Sequence, residues 1–478
     1  MAGRPGVQVS ILEIPSPVSI PLDTGTWFSL GLTDRGPAAT PTLIQSLDQF
    51  NTVFGARQSY SILYDAIETF FREGGSRVYI SRVVGPAATV GTHPLNDAGA
   101  QVSLTVNAIG PGAWSANYKV AVVTGVTGGS YQIQIMDASN NVLEQSGDLM
   151  DQGSAVAWAN YSSYVRIVLG ASANNPAIAA PAALSAGTDD RASVTDTQWQ
   201  AALDACGSQL GPGQVSQPGR TTSAAYNQVT GHAQLNNRVA LLDLPNSGTV
   251  ATLQASAASV VSRFGAAFCP WVVIPGVATG TIRTVPPCAF IAGLLGRNDP
   301  GLGTNAPAAG NNGQALYCTD LSQPDWSDTQ RTTLNSSSCN VIRRLFGGVR
   351  NYGWRALVNA TSDPSWVDFG NARLFVDLSA ELDAIGENYI FLELDGQNGT
   401  TINDFHGALA GAMMDHYNSG DLFGDTPDQA FAVDTGPSVN TLQTLANNEL
   451  HAIVRVKMAP FAEWVQIQIA KRQVTQAL

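Results

Sequence analysis

Apolar and polar side chains alternate at both ends of the chain. From Gly6 to Ile14, Val7, Val9 and Ile11 fall on one face and Gln8, Ser10 and Leu12 on the other, a period-two strand set apart from the next element by Pro15-Ser16-Pro17. The far end mirrors it. His451 to Met458 alternates with Ala452, Val454 and Val456 on one face, and Val465, Ile467 and Ile469 alternate with Gln466 and Gln468 after a break at Ala459-Pro460-Phe461. Terminal strands of this kind either pair within their own domain or add to a neighbour's sheet edge, where main-chain bonds supply affinity and side-chain pockets supply register.

Between the ends, the first half reads as α/β. Thr26 to Thr33 predicts a strand closed by the turn Asp34-Arg35-Gly36-Pro37. Tyr60 to Glu73 predicts an amphipathic helix with Ile62, Leu63, Ala66, Ile67, Phe70 and Phe71 on one stripe, stopped by Gly74-Gly75 and followed by a strand over Arg77 to Val84. From Ala87 to about Gly187 the pattern changes to short strands, at Val102 to Val106, Lys119 to Val123, Tyr131 to Met136 and Tyr164 to Leu169, separated by Gly, Asn and Ser turns. This region reads as a mostly β insertion. The α/β pattern returns with a helix at Asp196 to Ala205, a strand at Arg238 to Leu244, a helix near Val250 to Phe264 and a strand at Pro270 to Ile274. A Gly/Asn/Pro loop over Asn298 to Gly313 precedes two predicted helices, Phe369 to Asn388 and Ile402 to Asn418.

Charged residues are 13% of the 478, about half the usual share, while 44% are hydrophobic. Such a chain folds, and its neutral surface suits extensive association. The charge is segregated: Leu374 to Leu450 holds 13 Asp and Glu and no Lys or Arg, while the remaining 401 residues carry 24 acidic and 24 basic groups. The whole net charge of −13 therefore belongs to one segment. Arg343, Arg344, Arg350, Arg355 and Arg373 precede it, and Arg455, Lys457, Lys471 and Arg472 follow. One reading is a solvated acidic surface. The sharper reading is that acidic and basic faces meet between copies or against a partner and fix register, with Arg343, Arg344, Arg373, Asp377, Glu381 and Asp383 as the contacts. The 21 Arg against three Lys fit an interface, though a GC-rich genome gives the same bias. Negative net charge disfavours nucleic-acid binding. The five cysteines (Cys206, Cys269, Cys288, Cys318, Cys339) are odd in number with no C-x-x-C pair, and read as reduced, mostly buried thiols of a cytoplasmically made protein.

Candidate chemistry is sparse. The N-terminus has no apolar signal-peptide core, and the most apolar stretch, Phe264 to Gly296, is interrupted by Pro270, Pro275, Arg283, Pro286 and Pro287, which excludes a spanning helix there. There is no P-loop and no G-x-S-x-G elbow. The histidines His93, His232, His406, His416 and His451 are scattered, and Asp415-His416 are helical neighbours that do not face each other. The spacing Asp421-Leu-Phe-Gly-Asp425 is not that of an EF-hand loop. The pattern predicts no catalytic, cofactor or metal residues and a protein that is not an enzyme.

Several short motifs stand in order along almost the whole chain: Pro5-Gly-Val-Gln-Val9, Asp34-Arg-Gly-Pro37, Pro41-Thr-Leu-Ile-Gln-Ser46, Phe54-Gly55 and Phe70-Phe-Arg-Glu-Gly-Gly75, then Val78-Tyr-Ile-Ser-Arg-Val83 and Gly110-Pro-Gly-Ala-Trp114. Leu184-Ser-Ala-Gly-Thr-Asp189, Val285-Pro-Pro-Cys-Ala-Phe-Ile-Ala-Gly293, Arg297-Asn-Asp299, Asn340-Val-Ile342, Gly353-Trp-Arg-Ala-Leu357 and Val465-Gln-Ile-Gln-Ile469 continue the series. In this set the chain resembles the contractile tail sheath proteins of myophage type. It departs from them at Cys288, where a small serine is common, and at Asn371-Ala-Arg373, where a basic pair is matched only by Arg373.

The resemblance implies a multidomain α+β and α/β fold. An N-terminal arm (1–20) would complete a C-terminal α+β domain (346–478), beside a middle α/β domain (21–86 and 187–345) and an outward-facing β-rich insertion (87–186). It implies a structural subunit that stacks as hexameric rings around a tail tube, lends its terminal arms through Val7, Val9, Ile11, Val465, Ile467 and Ile469, and contracts to drive the tube through an envelope. The implied partners are other copies of itself, the tail tube protein, and baseplate and tail terminator proteins, with no cofactor, no direct nucleic acid and no membrane insertion. The implied location is the virion tail, assembled in the host cytoplasm. A sheath of a bacterial secretion or extracellular injection system, or a static structural protein, is the alternative.

Overall fold

A computed structural model describes residues 23–246, 248–394 and 399–468. Its largest element is an eight-stranded sheet in the spatial order Gly348–Asn351, Cys339–Leu345, Gly265–Cys269, Arg238–Asp243, Gly213–Ser216, Trp27–Gly31, Val78–Arg82 and Thr42–Ile44. The inner strands run parallel and both edge strands are antiparallel. Parallel strands require crossovers, and the crossovers cover both faces. Successive side chains therefore enter two different cores: Trp27, Val78, Ile80, Leu241 and Phe268 enter one, and Phe28, Leu30, Val215, Leu242 and Cys269 the other. Helices Leu63–Arg72, Pro287–Leu302 and Phe369–Glu387 close the first core. Asp196–Asp204, Ser223–Leu235, Val250–Ala257 and Asp328–Ser336 close the second.

Helix Pro287–Leu302 differs from the sequence expectation, and its packing gives the reason. Pro286 and Pro287 start the helix instead of breaking the segment, because the first turn has no need of the missing N–H. Every residue from Pro287 to Gly296 is buried, so no polar stripe marks the helical period. A side chain at Gly293 would lie 2.5 Å from Glu73 Cβ, and one at Gly296 would lie 3.1 Å from Gly75 Cα, so these glycines let the end of helix Leu63–Arg72 and the turn after it pack closely on the middle of this helix. The helix continues through Pro300 to Leu302, and the expected loop begins at Gly303, not Asn298. Likewise, the helix expected to reach Phe264 stops at Ala257, and Gly265–Cys269 is a buried strand.

Glu73 ends helix Leu63–Arg72 and is fully buried. Its carboxylate accepts the backbone N–H groups of Leu316 (2.7 Å), Tyr317 (2.9 Å) and Cys318 (2.9 Å), while Arg297 donates to its carbonyl at 3.0 Å. The glutamate of the Phe70-to-Gly75 motif thus ties the first helices to a segment more than two hundred residues away.

Residues 90–183 form two further sheets. One contains Val90–Asn96, Val102–Pro111 and Val165–Leu169; the other contains Ala179–Ala183, Lys119–Thr124, Tyr131–Met136 and Val142–Gln145. They enclose a core of their own that includes Leu104, Val106, Trp114, Val122, Ile133 and Ile135. Arg82, at the end of its strand, joins this body to the main sheet. It is fully buried and donates to the carbonyls of Gly36 (2.8 Å), Pro111 (2.7 Å), Thr33 (3.2 Å) and Asp34 (3.2 Å). Burial lowers its pKa to about 10, which leaves the guanidinium charged at neutral pH.

All five cysteines are buried and none is in a disulfide. Burial raises the thiol pKa values, to about 11 at Cys206 and about 12 at Cys339.

Candidate assembly interface

The C-terminal region is built from helices Phe369–Glu387 and Thr400–Ser419 and a two-stranded antiparallel sheet, Phe431–Asp434 with Ile453–Val456. The sheet alternates as a half-buried sheet should. Phe431, Val433, Val454 and Val456 face a core of Leu374, Leu378, Met413 and Leu422, whereas Ala432 and Arg455 face outward. Leu422 adds an isolated bridge to Met458. Among the described residues neither outer edge of this sheet carries another strand. Packing on the helices stabilises the pair, and the unpaired groups of an open sheet edge are a template for another chain.

Of the six expected arm residues, Val465 (69% exposed) and Ile467 (79%) stand in solvent outside any strand, beside Trp464 at 83%. Val7, Val9, Ile11 and Ile469 lie outside the described residues.

The six expected charged contacts divide into two groups. Arg373 is only 3% exposed, so its expected role as a surface contact is corrected: its guanidinium pairs with Asp299 and donates to the Thr304 carbonyl at 3.0 Å. The physical reason is that the first turns of helix Phe369–Glu387 pack over the end of Pro287–Leu302, which places residue 373 against residue 299. One turn later, Asp377 accepts from the Thr304 hydroxyl at 2.8 Å, and burial raises its pKa. One turn further, Glu381 lies 2.9 Å from His416 Nε2. These three residues, spaced i, i+4, line one inward face of the helix. Asp383 is exposed, Arg344 is half exposed and pairs with Asp320, and Arg343 lies 3.7 Å from Asp325 with its guanidinium 4.9 Å from the Tyr352 ring.

His416 was not expected to have this setting. Its other nitrogen, Nδ1, is 2.9 Å from Asp421, so the ring sits between a carboxylate of helix Phe369–Glu387 and one in the turn that follows its own helix, while adjacent Asp415 is exposed. The hydrogen bonds to Asp421 and Glu381 raise its pKa to about 10, so it is an imidazolium at neutral pH. Because the folded-state pKa lies above the unfolded value of about 6.5, the stabilisation is complete below that value and disappears as pH rises through about 10. The difference in unfolding temperature between wild type and His416→Asn is therefore expected to be largest at about pH 6 and to narrow as pH rises toward 10. A difference that stays constant over this range refutes the imidazolium clamp.

Reasoning from sequence missed Asp299, Thr304 and Asp421 as partners. The available signal was the Arg373–Asp377–Glu381 ladder, an i, i+4 row that can face inward as well as outward. Among the described residues, no group of His, Cys, Asp and Glu is arranged to hold a metal ion, and no helix is long and apolar enough to cross a membrane.

This arrangement of sheets and helices is the fold of the tail sheath proteins. The chain is similar to the sheath tail protein Lin1278 of Listeria innocua, with 13% identity over 92% of each chain and a TM-score of 0.64. It is similar to the sheath tail protein DSY3957 of Desulfitobacterium hafniense, with 14% identity over 90% of this chain and 93% of that one and a TM-score of 0.56. A third similar structure is the sheath of the extracellular contractile injection system PVC in its contracted state, with 13% identity over 99% and 98% of the two chains and a TM-score of 0.58. No protein-family model and no curated protein sequence matches the chain.

Proposed function

We propose that this protein is the structural, non-enzymatic subunit of a contractile phage tail sheath. In this reading it polymerises as stacked hexameric rings around a tail tube and shortens on a baseplate signal, driving the tube through the host envelope. The observation that carries the proposal is the C-terminal sheet, which has two strands and no further partner at either edge among the described residues. Arms carrying Val7, Val9 and Ile11 from one copy, and Val465, Ile467 and Ile469 from another, would complete it by strand addition. The C-terminal domain is then finished by the N-terminal arm, the middle α/β domain forms the body, and the insertion over 87–186 faces outward. Other copies, the tube, the baseplate and the tail terminator are the partners, and the virion tail is the location.

A machine of this kind needs no active site. Its work is the free-energy difference between two packings of the same folded subunits, separated by a kinetic barrier. Donated strands keep the subunits connected while their bodies slide and rotate. The likeness to an injection-system sheath supports a second reading with the same physics, and the genes beside this one, capsid and terminase or an unfoldase, distinguish the two. Electron microscopy of purified particles before and after a contraction trigger is expected to show two helical lattices, the second shorter and wider. One lattice under both conditions overturns the contractile reading in favour of a static structural protein.

A further inference from the structure

Two surfaces that strand addition does not use are complementary in chemistry and charge. The first is the tip of the hairpin formed by Cys339–Leu345 and Gly348–Asn351, where Phe346 is 93% exposed. Arg343, Arg344 and Arg350 stand behind the tip, the Arg350 guanidinium lies 5.7 Å from the Phe346 ring, and the hairpin contains no Asp or Glu. Arg344 pairs with Asp320 at the surface, where both groups are half exposed, and exposed pairs exchange partners at little cost.

The second surface is a cavity of about 770 Å³ beyond the end of helix Phe369–Glu387, lined by Ile390, Phe391, Leu392, Phe405, Leu445 and Leu450. Ile390 and Leu392 are half exposed and Phe391 is fully exposed. Glu393 lines the cavity, and the exposed Glu387, Asp404 and Glu449 adjoin lining residues. The segment that forms it has no Lys or Arg from Leu374 to Leu450. An apolar groove whose charged neighbours among the described lining and adjoining residues are carboxylates repels an acidic partner and suits an aromatic side chain flanked by guanidinium groups. Another exposed apolar tip, Val126 at 91%, lacks that match because its backbone binds Asp148.

We propose that Phe346 of one copy docks into the Ile390–Leu392, Phe405 and Leu450 groove of a neighbouring copy, with Arg344 and Arg350 against Glu387 and Glu393. The proposal rests on the sheath reading and names a second contact within that polymer. Knob and groove are different surfaces of the same chain, so the contact is heterologous and propagates from copy to copy.

The test is cross-linking of assembled full-length protein carrying both Phe346→Cys and Leu392→Cys. The five native cysteines are buried, so a short bismaleimide reacts at the introduced thiols. A ladder of covalent multimers from the double variant, absent from each single variant, supports the docking. Tubes that assemble without a ladder overturn it and leave the sheath reading standing, whereas a wild-type chain that builds no tubes overturns the sheath reading and the docking with it. Should the cysteine variants stay monomeric, charge reversal decides. Arg344→Glu with Arg350→Glu is expected to cut tube yield at least tenfold, and adding Glu387→Lys with Glu393→Lys to restore it. Failure of the second pair to restore assembly overturns the contact.

Discussion

Deleting Met1 to Ile14 is expected to abolish ordered tubes while leaving a folded, monomeric subunit. Among the described residues, the eight-stranded sheet and its two cores are assembled from residues after Asp23, so a folded body is the expected outcome of the deletion. The C-terminal sheet, by contrast, has room for added strands, because among the described residues neither edge of its two four-residue strands carries a further strand. A donated strand making about four ladder bonds at about 1 kcal/mol net each accounts for roughly a thousandfold in association at every contact. Repeated over a polymer, that loss removes assembly altogether. Sedimentation and negative-stain microscopy of the truncated protein read the outcome directly. Ordered extended tubes from it sink the linking role of the arm, whereas aggregation with loss of helical circular dichroism assigns the segment to folding instead.

Arg373→Leu is expected to destabilise the junction between the main sheet and the C-terminal helices by about 3–5 kcal/mol. The single change leaves Asp299, whose side chain is 6% exposed, as a buried anion without its cation, and also leaves the Thr304 carbonyl without a donor. Burial already raises the pKa of Asp299, and Arg373 is the first influence opposing that rise. Removing the guanidinium therefore pushes the carboxyl further toward its neutral form. The defect is expected to be greatest at neutral pH and to shrink as pH falls and the carboxyl takes up a proton. The double variant Arg373→Leu with Asp299→Leu is expected to regain most of the loss, because apolar side chains of similar volume replace a buried pair at little cost. Denaturant unfolding of the wild type, both single variants and the double variant gives the coupling. Additive effects, with the double variant as unstable as the sum of the singles, would falsify the pairing as the source of stability.

Helix Leu63–Arg72 was legible because one stripe is apolar, the other is polar and Gly74-Gly75 stops it. The strands Val102–Pro111, Lys119–Thr124, Tyr131–Met136 and Val165–Leu169 were legible for the corresponding reason, since alternation with period two survives wherever one face is wet, whereas Val90–Asn96, Val142–Gln145 and Ala179–Ala183 went unassigned. Helix Pro287–Leu302 carried no such signal, because it is buried on every side and begins with a proline pair. The hairpin ending at Asn351 went unassigned, although its tip carries the exposed aromatic that the proposed docking uses.

Electrostatics shows the same division. The segregation of acidic residues into Leu374 to Leu450 is a property of the chain and needs no coordinates. Which of those carboxylates face solvent is not. Asp377 and Glu381 turn inward to Thr304 and His416, while Glu387 and Glu393 stay exposed on the same acidic segment. Charge counts are sums over residues, but a carboxylate's partner is set by the element packed against its helix.

By itself the sequence determined the period-two alternation of side chains near both ends, the β-rich character of the stretch after Ala87, the low overall charge and the motif order that resembles tail sheaths, whereas Val465 to Gln468, expected in a strand, lie outside any strand. Tertiary structure alone decided that Arg373 is a buried structural cation, that Glu73 binds a distant backbone segment and that the C-terminal sheet has only two strands among the described residues. The physical reason is range. Periodicity and composition report interactions between residues near one another along the chain, whereas buried pairs and unfilled sheet edges depend on how segments hundreds of residues apart come together.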